Sequence, residues 1–72
     1  MIKKVKNSFG LEIEIGDKLQ IKSDRIGNKM LANVSKDEII IVSGFSDDGK
    51  VLYHHNTLAL PVNTDVYIKL SI

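Results

Sequence analysis

The sequence predicts an all-β domain, a small barrel of five to six short, mainly antiparallel strands. Three observations lead there. Apolar and polar residues alternate through Leu11-Glu12-Ile13-Glu14-Ile15, Lys18-Leu19-Gln20-Ile21-Lys22 and Val66-Tyr67-Ile68-Lys69-Leu70-Ser71-Ile72, the period-two pattern of a strand with one buried face. Ile39-Ile40-Ile41-Val42 is an unbroken β-branched run, stiff at χ1 and suited to a pleated surface. No stretch carries the apolar spacing of a long amphipathic helix.

The first strand is expected to bury Leu11, Ile13 and Ile15 before Gly16-Asp17 turns the chain. The second buries Leu19 and Ile21. Ser23 to Asn28 is polar and rich in turn formers, so it reads as an exposed loop. Lys29 to Val34 is expected to form a short strand with Met30 or Leu31 inward. Ser35-Lys36-Asp37-Glu38 matches a helix-capping box, but the β-branched run behind it favours a strand covered on both faces. Phe45-Ser46-Asp47-Asp48-Gly49-Lys50-Val51 predicts a hairpin in which Gly49 takes a positive φ. Val51 to His54 is the returning strand and His55-Asn56-Thr57 a turn. Leu58 to Pro61 is expected to form a short 3₁₀ turn before a last strand that faces Val66, Ile68, Leu70 and Ile72 inward. Short strands at this spacing favour closure, because closure removes vulnerable edges.

This order of elements resembles an SH3-like barrel. The resemblance rests on Gly16-Asp17 leading into Leu19 and Ile21, on the Asp48-Gly49 hairpin, and on the apolar turn with Pro61 before the last strand. It covers roughly residues 11 to 72 and implies a fold only, since such barrels host unrelated functions. Three relatives share fragments. Peptide-binding SH3 domains need a Trp and clustered aromatics, whereas this chain has no Trp and only Phe9, Phe45, Tyr53 and Tyr67. Gly16-Asp17-Lys18 through Lys22-Ser23 is similar to the opening strand of plasmid-type SH3-barrel reductases, but Val66-Tyr67-Ile68-Lys69 does not match their active-pore tetrapeptide. Tyr53-His54-His55 is similar to an element of the bacterial Sm-like RNA chaperones, whose N-terminal helix has no counterpart here.

A chain of 72 residues holds one domain, residues 1–72, and a domain this small buries only about 60% of its unfolded surface. It has no cysteine, so disulfides and thiolate ligands cannot supplement the core. No apolar run is long enough to span a bilayer, and the basic start, Met1 to Lys6, is followed by no signal-peptide core. A cytoplasmic protein with no membrane role is the expectation, and the initiating Met with an unbroken strand pattern suggests a whole small gene product. Ten Ile, nine Lys and five Asn are residues of AT-rich codons and suggest a low-GC bacterium or its phage.

The net charge is +1, but residues 1–36 carry eight basic against four acidic residues and residues 37–72 two against five. The basic end could favour an anionic partner, or the halves could face each other in one fold. The parts of a catalyst are missing. There is no Cys and no Ser set beside a His and an acid. His54 and His55 on one strand would point to opposite faces and could not readily share a metal. Asp47-Asp48-Gly49 lacks the spacing of a calcium loop, and Glu12 and Glu14, about 7 Å apart along a strand, read as solvated. No enzyme activity, cofactor or metal is expected.

Two binding readings remain. The first is a non-enzymatic protein-binding module, a small phage or bacterial regulator that binds and modulates a host protein, with Tyr53, His54, His55 and Asn56 as contacts. The alternative is nucleic-acid binding by Lys18, Lys22, Arg25 and Lys29, with Lys3, Lys4 and Lys6 nearby but no aromatic platform for bases beyond Phe9. Self-assembly through the terminal strands is a further possibility.

Overall fold

The computed structural model describes residues 2–31, 34–55 and 58–70. It shows an all-β, mainly antiparallel protein, with no helix among the described residues. Among the described residues nine strands form, β1 (Lys4–Lys6), β2 (Glu12–Glu14), β3 (Lys18–Ile21), β4 (Arg25–Ile26), β5 (Lys29–Met30), β6 (Ile39–Phe45), β7 (Val51–His54), β8 (Leu58–Pro61) and β9 (Tyr67–Leu70). Five of them make one sheet in the order β8-β7-β6-β3-β9. Two satellite hairpins, β1-β2 and β4-β5, stand outside it.

The N-terminal hairpin follows from charge and turn chemistry. Its register sets Lys4 opposite Glu14 and Lys6 opposite Glu12, and Lys4 Nζ lies 3.7 Å from Glu12 Oε1, so each outward position faces an opposite charge. Between these strands, the buried Asn7 uses its whole side chain. Its Nδ2 donates to the carbonyls of Val62 (3.1 Å) and Thr64 (3.2 Å), and its Oδ1 accepts from the amides of Phe9 and Leu11 (both 3.0 Å). The Ser8 amide adds a bond to Asn63 Oδ1 at 2.8 Å. One short polar side chain thus shapes the hairpin loop and pins it to the segment before β9.

Ile13, Leu19, Ile21, Ile40, Val42, Leu52 and Leu60 form the centre of the core, joined by Val34, Val62, Val66 and Tyr67. The Asp47-Asp48-Gly49 turn forms as expected. Gly49 has φ +71°, its amide donates to Ser46 O at 3.0 Å, and Asp48 Oδ1 accepts from the Ser46 hydroxyl and the Lys50 amide. Those bonds, led by the Ser46 hydroxyl, hold the Asp48 carboxyl below its usual range.

Several expectations are corrected. Leu58 to Pro61 is a strand rather than a 3₁₀ turn, because it pairs with β7 residue for residue, from Val51↔Pro61 to His54↔Leu58. The loop at Ser23–Asn28 contains β4, which pairs with β5 around Gly27 at φ +61°. Of the two residues expected inward, Leu31 packs against the core and Met30 is exposed. Ile15 is also exposed, because β2 stops at Glu14 and the chain turns at Gly16. Within β9 the faces are reversed, although Val66 just before it is buried as expected and Ile72 lies outside the described residues. Tyr67 is buried and donates its hydroxyl to Pro61 O, while Ile68 is 44% exposed. A parity change of one residue swaps every side chain between faces, and here the larger ring fills the core. Burial pushes the Tyr67 phenol above its ordinary range.

The β-branched run is a further correction. β6 is central in the sheet, yet it is covered on one face only. Ile40 and Val42 are buried, whereas Ile39 and Ile41 are 51% and 49% exposed.

Candidate functional site

The bare face of β6 continues across its neighbours. In the β3–β6 ladder Lys18 lies opposite Ile41 and Gln20 opposite Ile39. In the β3–β9 ladder the same residues lie opposite Leu70 and Ile68. Directly opposed residues share a face, so two rows cross the sheet, Ile41-Lys18-Leu70 and Ile39-Gln20-Ile68. This outer face is largely apolar, with one ammonium and one amide between the aliphatic columns.

Of the four residues expected to contact a protein, the structure separates two and buries one. A bulge between Val42 and Gly44 sets Tyr53 opposite Gly44, and the Tyr53 ring passes 3.8 Å from the position a Gly44 Cβ would take. Tyr53, half-buried, therefore lies on the outer face with Ile39 and Ile41. His54 points inward opposite Val42 and is fully buried, so it offers no contact surface. Its Nδ1 and Nε2 have no hydrogen-bond partner among the described residues. Desolvation lowers its pKa from 6.5, the neighbouring His55 lowers it further, and Glu38 acts weakly the other way. His55 is exposed at φ +49°. That left-handed turn brings its ring back edge-on to His54, with centroids 4.8 Å apart, instead of pointing it to the opposite face. Asn56 lies outside the described residues.

The basic residues are dispersed. Lys18 is on the outer face, and Lys22 Nζ is 3.3 Å from Asp65 Oδ1. Arg25 pairs with Met30 and Lys29 with Ile26, so Arg25 and Lys29 point to opposite sides of their hairpin. Lys69, a strand neighbour of Leu19, is held 3.2 Å from Asp17 Oδ2 and donates to Glu12 O.

One concave feature was not expected. Ile26, Lys29 and Leu31 of the β4–β5 hairpin face Val51, Ala59, Leu60 and Pro61 across an apolar groove of about 290 Å³. It lies against β8 and could have been anticipated only by knowing that residues 24–31 form a hairpin. Among the described residues no group of three His, Asp or Glu is placed to hold a metal, and no helix is long and apolar enough to cross a membrane. No protein-family model matches this chain, and neither a curated protein nor a solved structure matches it.

Proposed function

We propose that this chain is a non-enzymatic protein-binding module and that the outer face of β6, β3 and β9 is its contact surface. The half-exposed Ile39 and Ile41 of β6 and Ile68 of β9, on one face of the sheet with Lys18 and Gln20 of β3 between them, carry the reading. Contiguous exposed aliphatic side chains are costly to leave in water, and such patches mark interaction surfaces. Tyr53, on the same outer face, adds an aromatic side chain to the surface. Lys18, set between Ile41 and Leu70, favours a partner that brings apolar side chains together with a carboxylate. A small regulator acting on a host protein fits a surface of this kind, which has contact chemistry and no reactive group.

An SH3-like architecture remains part of this reading: β3, β6, β7 and β8 run as a meander and β9 returns beside β3, although the strand pairings among the described residues do not close into the barrel that the resemblance implies.

The test is a tagged pull-down from bacterial lysate, with and without nuclease, eluted in steps of salt. A protein that survives nuclease and moderate salt supports the reading. A bait that holds nothing, or only material released by nuclease and low salt, overturns it and favours the lysine alternative.

A further inference from the structure

The two edges of the five-stranded sheet differ in what their backbones offer. In an antiparallel ladder, opposed pairs alternate between those that exchange hydrogen bonds and those whose N–H and C=O groups point away. The Val62 amide donates to Lys50 O, which continues the β7–β8 register and makes Leu60↔Leu52 a bonded pair. Ala59 and Pro61 therefore face the free edge of β8. Pro61 has no N–H, and its carbonyl already accepts the Tyr67 hydroxyl. The β4–β5 hairpin lies against this edge across the groove. This edge is blunted in the manner of a protected edge strand.

The other edge lacks that protection. The Lys22 amide donates to Val66 O at 2.8 Å, in register with β3–β9, so Ile68↔Gln20 and Leu70↔Lys18 are bonded pairs. The N–H and C=O groups of Tyr67 and Lys69 point away from β3, and they have no backbone partner among the described residues. There is no proline in the strand. Its one charge, Lys69, is turned onto Asp17 and Glu12, so it does not guard the edge.

We infer that β9 pairs with β9 of a second copy, antiparallel about a two-fold axis through Ile68. The open groups select this register. Centring on Ile68 sets Tyr67 against Lys69 of the second copy, and Lys69 against its Tyr67. All four outward donors and all four outward acceptors, two from each copy, are then satisfied in bonded pairs. Ile68 meets its own symmetry mate in a non-bonded pair, where Cα atoms approach to about 4.5 Å. Both Ile68 side chains lie on the outer face, so the exposed aliphatic columns of the two copies join. A net charge of +1 per chain leaves little repulsion between copies. The pairing rests on the strand edge alone and holds whether or not the outer face binds another protein.

The purified chain tests it without any partner. Ile68→Cys introduces the only thiol, and oxidised glutathione accepts the two electrons when two such thiols couple. The expected result is rapid disulfide-linked dimer from Ile68→Cys and little from the similarly exposed Ile39→Cys and Ile41→Cys. Ile68→Asp, which opposes two carboxylates, should weaken dimerisation by roughly tenfold or more, read by analytical ultracentrifugation with circular dichroism confirming the fold. A wild-type chain that sediments as a monomer at millimolar concentration, or that couples best through Ile39→Cys or Ile41→Cys, overturns the inference.

Discussion

Asn7 shows how much a single side chain holds in a protein with a small core. Truncation to Ala strips two carbonyls and two amides of their partners, and leaving buried polar groups unpaired is costly. Asn7→Ala should lose about 2–3 kcal/mol, seen as a lower urea midpoint. An unchanged midpoint would mean that the hairpin is not latched to residues 62–64. His54 makes a second prediction at this scale. Burial lowers the pKa of His54 in the folded state below the 6.5 of a free imidazole, so as the pH falls through 6.5 the unfolded chain takes up the proton first. Stability is therefore full above pH 6.5 and falls as the pH drops below it, because protons then favour the unfolded state. His54→Leu should flatten that slope between pH 7 and pH 5 in denaturation curves. A slope that persists in the variant would assign it to other groups. Neither role was legible in the sequence. Asn7 is a lone polar residue whose partners are more than fifty positions away, and alternation does not say how deep a histidine sits.

At the level of elements, the sequence disclosed most where local chemistry decides. The Asp48-Gly49 hairpin needed only a residue able to take positive φ, and Gly49 takes it. A Cβ at that position would also meet Ile2 Cδ1 at 3.3 Å and Val5 Cγ1 at 3.5 Å. Gly49→Ala should cost about 1–2 kcal/mol, measured as a drop in thermal midpoint, and a neutral substitution would argue against the left-handed turn. Strands β3, β6 and β7 were visible as alternation or as a β-branched run. Face assignment was weaker, because alternation fixes period and not direction. In Val66-Tyr67-Ile68 the aliphatic residues suggested the inward face, but the Tyr67 ring and its bond to Pro61 decide the parity. The β1–β2 hairpin escaped notice although its signal was present. Lys4 and Lys6 answer Glu14 and Glu12 across a turn, a pattern that appears only when the two segments are read together.

For the whole molecule, the informative failure concerns Ile39 to Val42. A continuous apolar run implied cover on both sides, and the single chain provides it on one. Among the described residues no second layer covers the outer face, so Ile39 and Ile41 lie at the surface. The candidate contact set was legible in part for the same reason. Tyr53 shares the outer face, His54 is buried and His55 turns back onto it, while Ile39, Ile41 and Ile68 read as ordinary core residues until the sheet order placed them outside. Because Ile39 and Ile41 are only half-buried, Ile39→Thr with Ile41→Thr keeps β-branching and should cost no more than about 1 kcal/mol per site.

That double substitution also serves the most direct measurement. The protein retained by the nuclease-treated bait would be titrated by isothermal calorimetry against wild type and against the Ile39→Thr/Ile41→Thr variant, with folding of both checked by circular dichroism. An outer-face contact predicts affinity reduced at least about tenfold, a loss of roughly 1.4 kcal/mol, in a variant that stays folded. Equal affinity for the two chains would contradict the account and move the contact surface elsewhere on the molecule.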